Sequence, residues 1–203
     1  MKCRASLLLI AAGLLLAVPA PALAAFSDSS TSIAQSEPST KAAQEEFAQE
    51  QKLLDHDGEK LPELSKTVEI NAPVQKVWEA IQARRSSDPG KRKLMSYDGK
   101  VAVIKEFFLS VPIIGNTICT YVERELIPHK AIEYKMLSSN RFHTFEGYWQ
   151  LAEGSKPGTT SCTLTTILDP GVRIPFWQQI AKNAMQKDLD HNLECVTELA
   201  TKK

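Results

Sequence analysis

Between residues 66 and 81 the hydrophobic period of the chain changes from two to about 3.6 within three residues, and everything that follows must pack against that junction. Val68 and Ile70 alternate with Thr67 and Glu69, as in a strand with one face buried. Val74, Val77, Trp78 and Ile81 then recur at i, i+3, i+4 and i+7, one face of a helix. Pro73 explains the switch. Its fixed φ and missing N–H suit a first helical turn and it drives Ala72 into extended geometry, so Asn71 or Ala72 is the expected N-cap. By spacing alone, the same pattern fits any buried strand-to-helix junction.

Breakers divide the rest of the chain. Ser86-Ser87-Asp88-Pro89-Gly90 ends the helix near Ser86. Strands are expected over 94–97 and 100–109, joined at Asp98-Gly99 by a hairpin turn with both central residues at positive φ. An apolar loop, Val111-Pro112-Ile113-Ile114-Gly115, precedes further strands over 117–126, 131–137, 142–151 and 159–168. Pro175 opens a final helix reaching about residue 201, with Ala181, Met185, Leu189, Val196, Leu199 and Ala200 on one side. Strand, helix, about six strands and a long helix is an α+β order.

The opening strand that ends in Ala72-Pro73, with Val77-Trp78 on the buried face of the next helix, resembles the START-like (SRPBCC) superfamily, which includes polyketide cyclases and coenzyme Q-binding proteins. Gly147-x-Trp149-x-Leu151 followed by Gly158-Thr159 is similar to that family's sixth and seventh strands. The resemblance covers residues 65–203. It implies a helix-grip fold, a curved antiparallel sheet wrapped around a long C-terminal helix with an apolar cavity between them. In such a fold the 111–115 loop can close one mouth of the cavity; a buried crossover is the alternative.

Residues 1–24 combine Lys2 and Arg4, an apolar run from Leu7 to Val18 and the small-residue sequence Ala22-Leu23-Ala24, the pattern of a secretory signal peptide. The run is shorter than the ~20 residues that span a bilayer, so cleavage near Ala24/Ala25 and a periplasmic or secreted chain without a stable membrane anchor are expected. Residues 25–64 read as a flexible linker with a short amphipathic helix around Phe47 and Leu54. Without the leader, 22 basic groups face 24 acidic ones, and no basic stripe points to nucleic acid. Cys119, Cys162 and Cys195 read as small core residues, although export permits one disulfide.

No metal-ligand spacing, phosphate loop, dinucleotide fingerprint or nucleophile elbow is present, so neither a cofactor nor a metal is expected and no catalytic residue is assigned. The ligand-binding candidates are Arg124, Tyr134, Trp149, Phe107, Met185 and Asn192. Arg124 shares a face with Ile118, Val122 and Leu126; it either turns a guanidinium into the cavity or snorkels to water. Tyr134 and Trp149 pair an aromatic body with one polar atom, suiting either an apolar pocket or a core. Asn192 interrupts the apolar stripe of the last helix, where it orients a ligand carbonyl or satisfies backbone. The expected function is binding of a small hydrophobic molecule such as a lipid, quinone or polyketide-like compound. The rival is a cyclase-type enzyme using the same cavity, with Tyr134, Arg124 or His143 moving or polarising protons. A module whose cavity is filled by its own side chains is a third reading, and oligomeric state is left open.

Overall fold

The computed structural model describes residues 60–202; the signal segment, the linker helix and Cys3 lie outside the described residues. The elements run β1 (Glu63–Ile70), α1 (Val74–Ser87), β2 (Arg92–Tyr97), β3 (Val101–Val111), β4 (Gly115–Ile127), β5 (Ala131–Ser139), β6 (Thr144–Glu153), β7 (Thr160–Asp169) and α2 (Trp177–Thr201). The seven strands form one antiparallel sheet in the order β1-β7-β6-β5-β4-β3-β2. Helix α1 carries the chain from one edge strand to the other, and a meander returns it until β7 pairs with β1. Helix α2 then packs against α1, β1 and β7. This is the helix-grip architecture, an open curved sheet closed on one face by a long C-terminal helix.

Three local details differ from the pattern read in the sequence. Pro73 itself is the N-cap of α1: its ψ of 154° is extended while its carbonyl accepts from the N–H of Lys76 and Val77. A proline held in extended geometry stands one position outside the helix, so neither Asn71 nor Ala72 caps it. In the β2–β3 turn only Gly99 takes positive φ, 99°. Asp98 instead accepts from the N–H of Lys100 and Val101 through Oδ1, at 2.9 and 2.7 Å, fixing the turn by its side chain. Helix α2 begins at Trp177, two residues after Pro175, because Phe176 adopts a left-handed conformation with φ 62°.

The core lies between sheet and helices. Val77, Trp78 and Ile81 of α1, Ile132 and Trp149 of the sheet, and Leu189 of α2 are all buried in it, each side chain stabilising the fold by about 1.5–3 kcal/mol. Trp78 is 3% exposed and its ring lies 5.5 Å from that of His129, in the β4–β5 turn. Cys119, Cys162 and Cys195 are buried free thiols, and burial pushes Cys119 and Cys162 up to about 12. The sheet's inner face is not uniformly apolar. On β3 it carries Ala102, Ile104 and Glu106, and on β4 Cys119, Tyr121 and Glu123.

Candidate functional site

The buried stripe of α1 continues past Ile81 by one more turn and ends in two arginines. Val77, Ile81, Arg84 and Arg85 follow the i, i+4, i+7, i+8 spacing of one helical face, and each guanidinium-bearing residue is only 3% exposed. Opposite them, Glu106 and Glu123 occupy inward positions of β3 and β4 by strict alternation. Helix α2 adds Asp188 and Asn192, one turn apart. Four elements thus aim polar and charged groups into a single buried space.

The contacts are specific. Glu123 accepts from Arg84 Nη2 on Oε1 at 2.5 Å and from Arg85 Nε on Oε2 at 2.7 Å, so one carboxylate spans two guanidiniums. Arg84 Nη1 donates to Asn192 Oδ1 at 3.0 Å, and Arg92 Nη2 donates to the same oxygen. Two donors on Oδ1, and an Nδ2 that donates to Asp188 Oδ2 at 2.8 Å, fix the Asn192 amide in one orientation. Arg92 Nη2 also lies 2.9 Å from Glu106 Oε1, while the Tyr121 hydroxyl donates to Glu106 Oε2 at 2.8 Å. Lys91 completes the cluster, 2.8 Å from Asp188 Oδ1 and 3.5 Å from Glu106 Oε1.

These neighbours set the protonation states. Burial alone would push Asp188 up, but Lys91 and Arg92 outweigh it and hold its carboxyl below the usual range. Burial opposes the charge on Arg92, yet Glu106, Tyr121 and Asp188 together more than offset it and the guanidinium stays charged. Burial, reinforced by Glu106, pushes the Tyr121 phenol well above its ordinary value, and burial does the same to Tyr134. Both phenols therefore remain protonated donors at neutral pH.

A cavity of about 20 Å³, measured as space open to the centre of a water molecule, lies beside this network. That is room for one or two waters. Its other wall is aromatic and aliphatic: Trp149, Tyr134, Phe145 and Leu164. Tyr134 Oη lies 2.5 Å from Thr166 Oγ1 and 3.0 Å from the Thr165 carbonyl oxygen. Its ring reaches that position over Gly147, where a Cβ would meet Thr165 O at 2.0 Å and the Tyr134 hydroxyl at 2.5 Å. The site is amphipathic, with ionic groups from α1, α2, β3 and β4 facing a ring-lined wall on β5 and β6.

Of the residues proposed from sequence, Tyr134, Trp149 and Asn192 line this cavity. Met185 is buried one turn nearer the start of α2, in sequence between Ala184, which lines a second, apolar cleft, and Asp188 of the cavity. Arg124 and Phe107 stand on the opposite face of the sheet. Arg124 has a side chain 58% exposed and bonds Glu133 across the strand pair at 3.1 Å, so it does not reach the cavity. Phe107 packs under the Lys105 ammonium, 5.7 Å from the ring centre. The charged residues that do line the cavity, Arg84, Glu106, Glu123 and Asp188, with Arg92 in the network beside them, were not singled out in the sequence. The signal for Arg84 was present in the helical spacing from Val77. Arg84 also lies over the Trp149 ring at 5.1 Å, joining the two walls.

The second cleft sits under the first turns of α2, against the loop joining β3 and β4. Pro112, Ile113, Leu168, Val172, Trp177 and Ile180 are among its lining residues. Around this end Leu109, Ile113, Ile174 and Phe176 are exposed, Phe176 by 83%. Ile113 and Phe176 hold positive φ angles of 75° and 62°, conformations that cost an L-residue energy.

No family model and no curated protein matches this sequence. Solved structures do match its fold. The Zhui aromatase/cyclase from Streptomyces sp. R1128 is 17% identical with a TM-score of 0.56, covering 68% of this chain and 92% of its own. A START superfamily protein from Mycobacterium smegmatis is 11% identical with a TM-score of 0.54, covering 67% and 94%. The di-domain ARO/CYC BexL from the BE-7585A biosynthetic pathway is 19% identical with a TM-score of 0.53, covering 70% of this chain and 50% of that one. The chain has the START-like helix-grip fold.

Proposed function

We propose that this chain, built on a START-like helix grip, is an exported binding protein for a small hydrophobic molecule with one polar end. The observation that carries the reading is the amphipathic cavity under α2, where Trp149, Phe145 and Leu164 face Arg84 and Asn192. An apolar body lies against the rings and a single polar group meets the network, the usual division of labour in a ligand pocket. The cavity as it stands is far below the ~300 Å³ or more of pockets for drug-sized ligands. Binding therefore requires α2 and the β3–β4 loop to part, and the apolar cleft with its exposed rim at that end supplies the entry route. Met185, an adaptable side chain between cleft and cavity residues in the sequence of α2, yields along that route.

Binding is favoured over turnover by the state of the cavity's own groups. General acid–base catalysis works best with a group titrating near the operating pH. Here both phenols are pushed up by burial and Asp188 is held down by Lys91 and Arg92. A cyclase-type activity remains the second reading because two structurally similar proteins carry aromatase/cyclase names. Native mass spectrometry of protein purified from its own compartment tests the proposal. A co-purified apolar molecule, released unchanged on denaturation, is the expected result. Conversion of that molecule on incubation with the protein would replace binding by catalysis, and a chain carrying no such molecule and taking none up would overturn both.

A further inference from the structure

We infer that the polar end of the ligand is a carboxylate, a conclusion that rests on the ligand-binding reading above. The cluster beneath α2 contains four cations, Arg84, Arg85, Lys91 and Arg92, and three anions, Glu106, Glu123 and Asp188. One positive charge is in excess inside the fold. Independently, Arg84 Nε and both Nε and Nη1 of Arg92 are buried without a hydrogen-bond partner among the described residues. Arg84 is 3% exposed and lines the cavity. Buried donors without acceptors are rare in folded proteins because each keeps its full desolvation cost.

The resident carboxylates already face cations. Glu123 spans Arg84 and Arg85, Asp188 takes Lys91 and Asn192, and Glu106 takes the Tyr121 hydroxyl on Oε2. Glu106 Oε1, ion-paired to Arg92 at 2.9 Å, is the one buried carboxylate oxygen of the cluster without a hydrogen bond among the described residues, against three such arginine donors. What the site lacks is a negatively charged acceptor for the free Nε of Arg84, whose Nη1 and Nη2 are taken by Asn192 and Glu123, and a charge-assisted hydrogen bond is the strong way to fill that place. A ligand ammonium would raise the charge excess to two, and a neutral hydroxyl would leave it at one. A carboxylate in the cavity gives Arg84, the arginine that lines it, an acceptor for its free Nε and brings the count to four against four. Once α2 and the β3–β4 loop have parted, the carboxylate takes the space beside Arg84 that now has room for one or two waters, and the ligand body lies against Trp149 and Leu164.

Isosteric pairs test this in the wild-type protein without disturbing the network. Naphthalene-2-carboxylate and naphthalene-2-carboxamide, and dodecanoate and dodecanamide, are titrated at pH 7 by calorimetry. Within at least one pair the carboxylate is expected to bind about tenfold tighter or more, since charge-assisted hydrogen bonds are roughly twice as strong as neutral ones. Arg84→Gln, after its cooperative unfolding has been verified, is expected to bring that ratio toward one. Equal binding of carboxylate and carboxamide would overturn the head-group inference and leave hydrophobic binding standing, as would an unchanged ratio in a folded Arg84→Gln. Failure of all four probes to bind would overturn the ligand-binding reading as well.

Discussion

Glu123 is fully buried and holds two guanidiniums, so it is where a single substitution should be felt most. Replacing a buried ion pair by apolar groups is often neutral, but removing one partner leaves the other charge stranded. Glu123→Gln keeps the shape of the side chain and removes the charge that Arg84 and Arg85 share. The expected loss is about 3–5 kcal/mol in urea unfolding at pH 7; a loss under about 1 kcal/mol would mean that the two arginines find other counter-charges or water. Gly147 matters at the same scale for a steric reason. Any side chain there would collide with the Thr165 carbonyl and displace the Tyr134 ring from the cavity wall.

Helix α2 starts on a strained residue that returns little packing. Phe176 is 83% exposed and sits at φ 62°, in a region that costs an L-residue about 1–2 kcal/mol and that asparagine tolerates better. Phe176→Asn is therefore expected to raise stability by about 0.5–1 kcal/mol and to slow uptake of apolar probes, read as a higher urea midpoint together with a smaller association rate constant. Greater stability with an unchanged association rate would remove this end of α2 from the entry route. The strands show how far sequence carries. Their order and approximate limits were legible because each run of alternation is bounded by glycine, proline or serine, as at Asp98-Gly99 and Pro128-His129. The direction of β4 was not. Its two faces, Ile118-Thr120-Val122-Arg124 and Cys119-Tyr121-Glu123, are similarly mixed, and the more apolar one faces out. Pairing with β3, where Ala102 stands opposite Glu123, decides the question, and a one-residue step reverses every side chain.

For the whole molecule, a strand-to-helix switch at Pro73, a run of six further strands and a long amphipathic helix were enough to indicate the helix grip. The polar heart of the site was not readable because its charges come from segments far apart in sequence. Arg84 and Asn192 are 108 residues apart, and only the closure of α2 over the sheet makes them neighbours. Tyr134, Trp149 and Asn192 could be named in advance as isolated irregularities on apolar faces, whereas Glu106 and Glu123 resembled ordinary solvent-facing charges until the sheet was assembled. The central claim, that a ligand occupies the space between sheet and α2, is tested most directly by the indole N–H resonances of ¹⁵N-labelled protein titrated with naphthalene-2-carboxylate. Among the described residues the three tryptophans sample three places: Trp78 lies against His129, Trp177 lines the apolar cleft, and Trp149 lines the cavity. Saturable movement of the Trp149 resonance with Trp78 unmoved is the predicted result, and saturable binding that leaves Trp149 unmoved would contradict it.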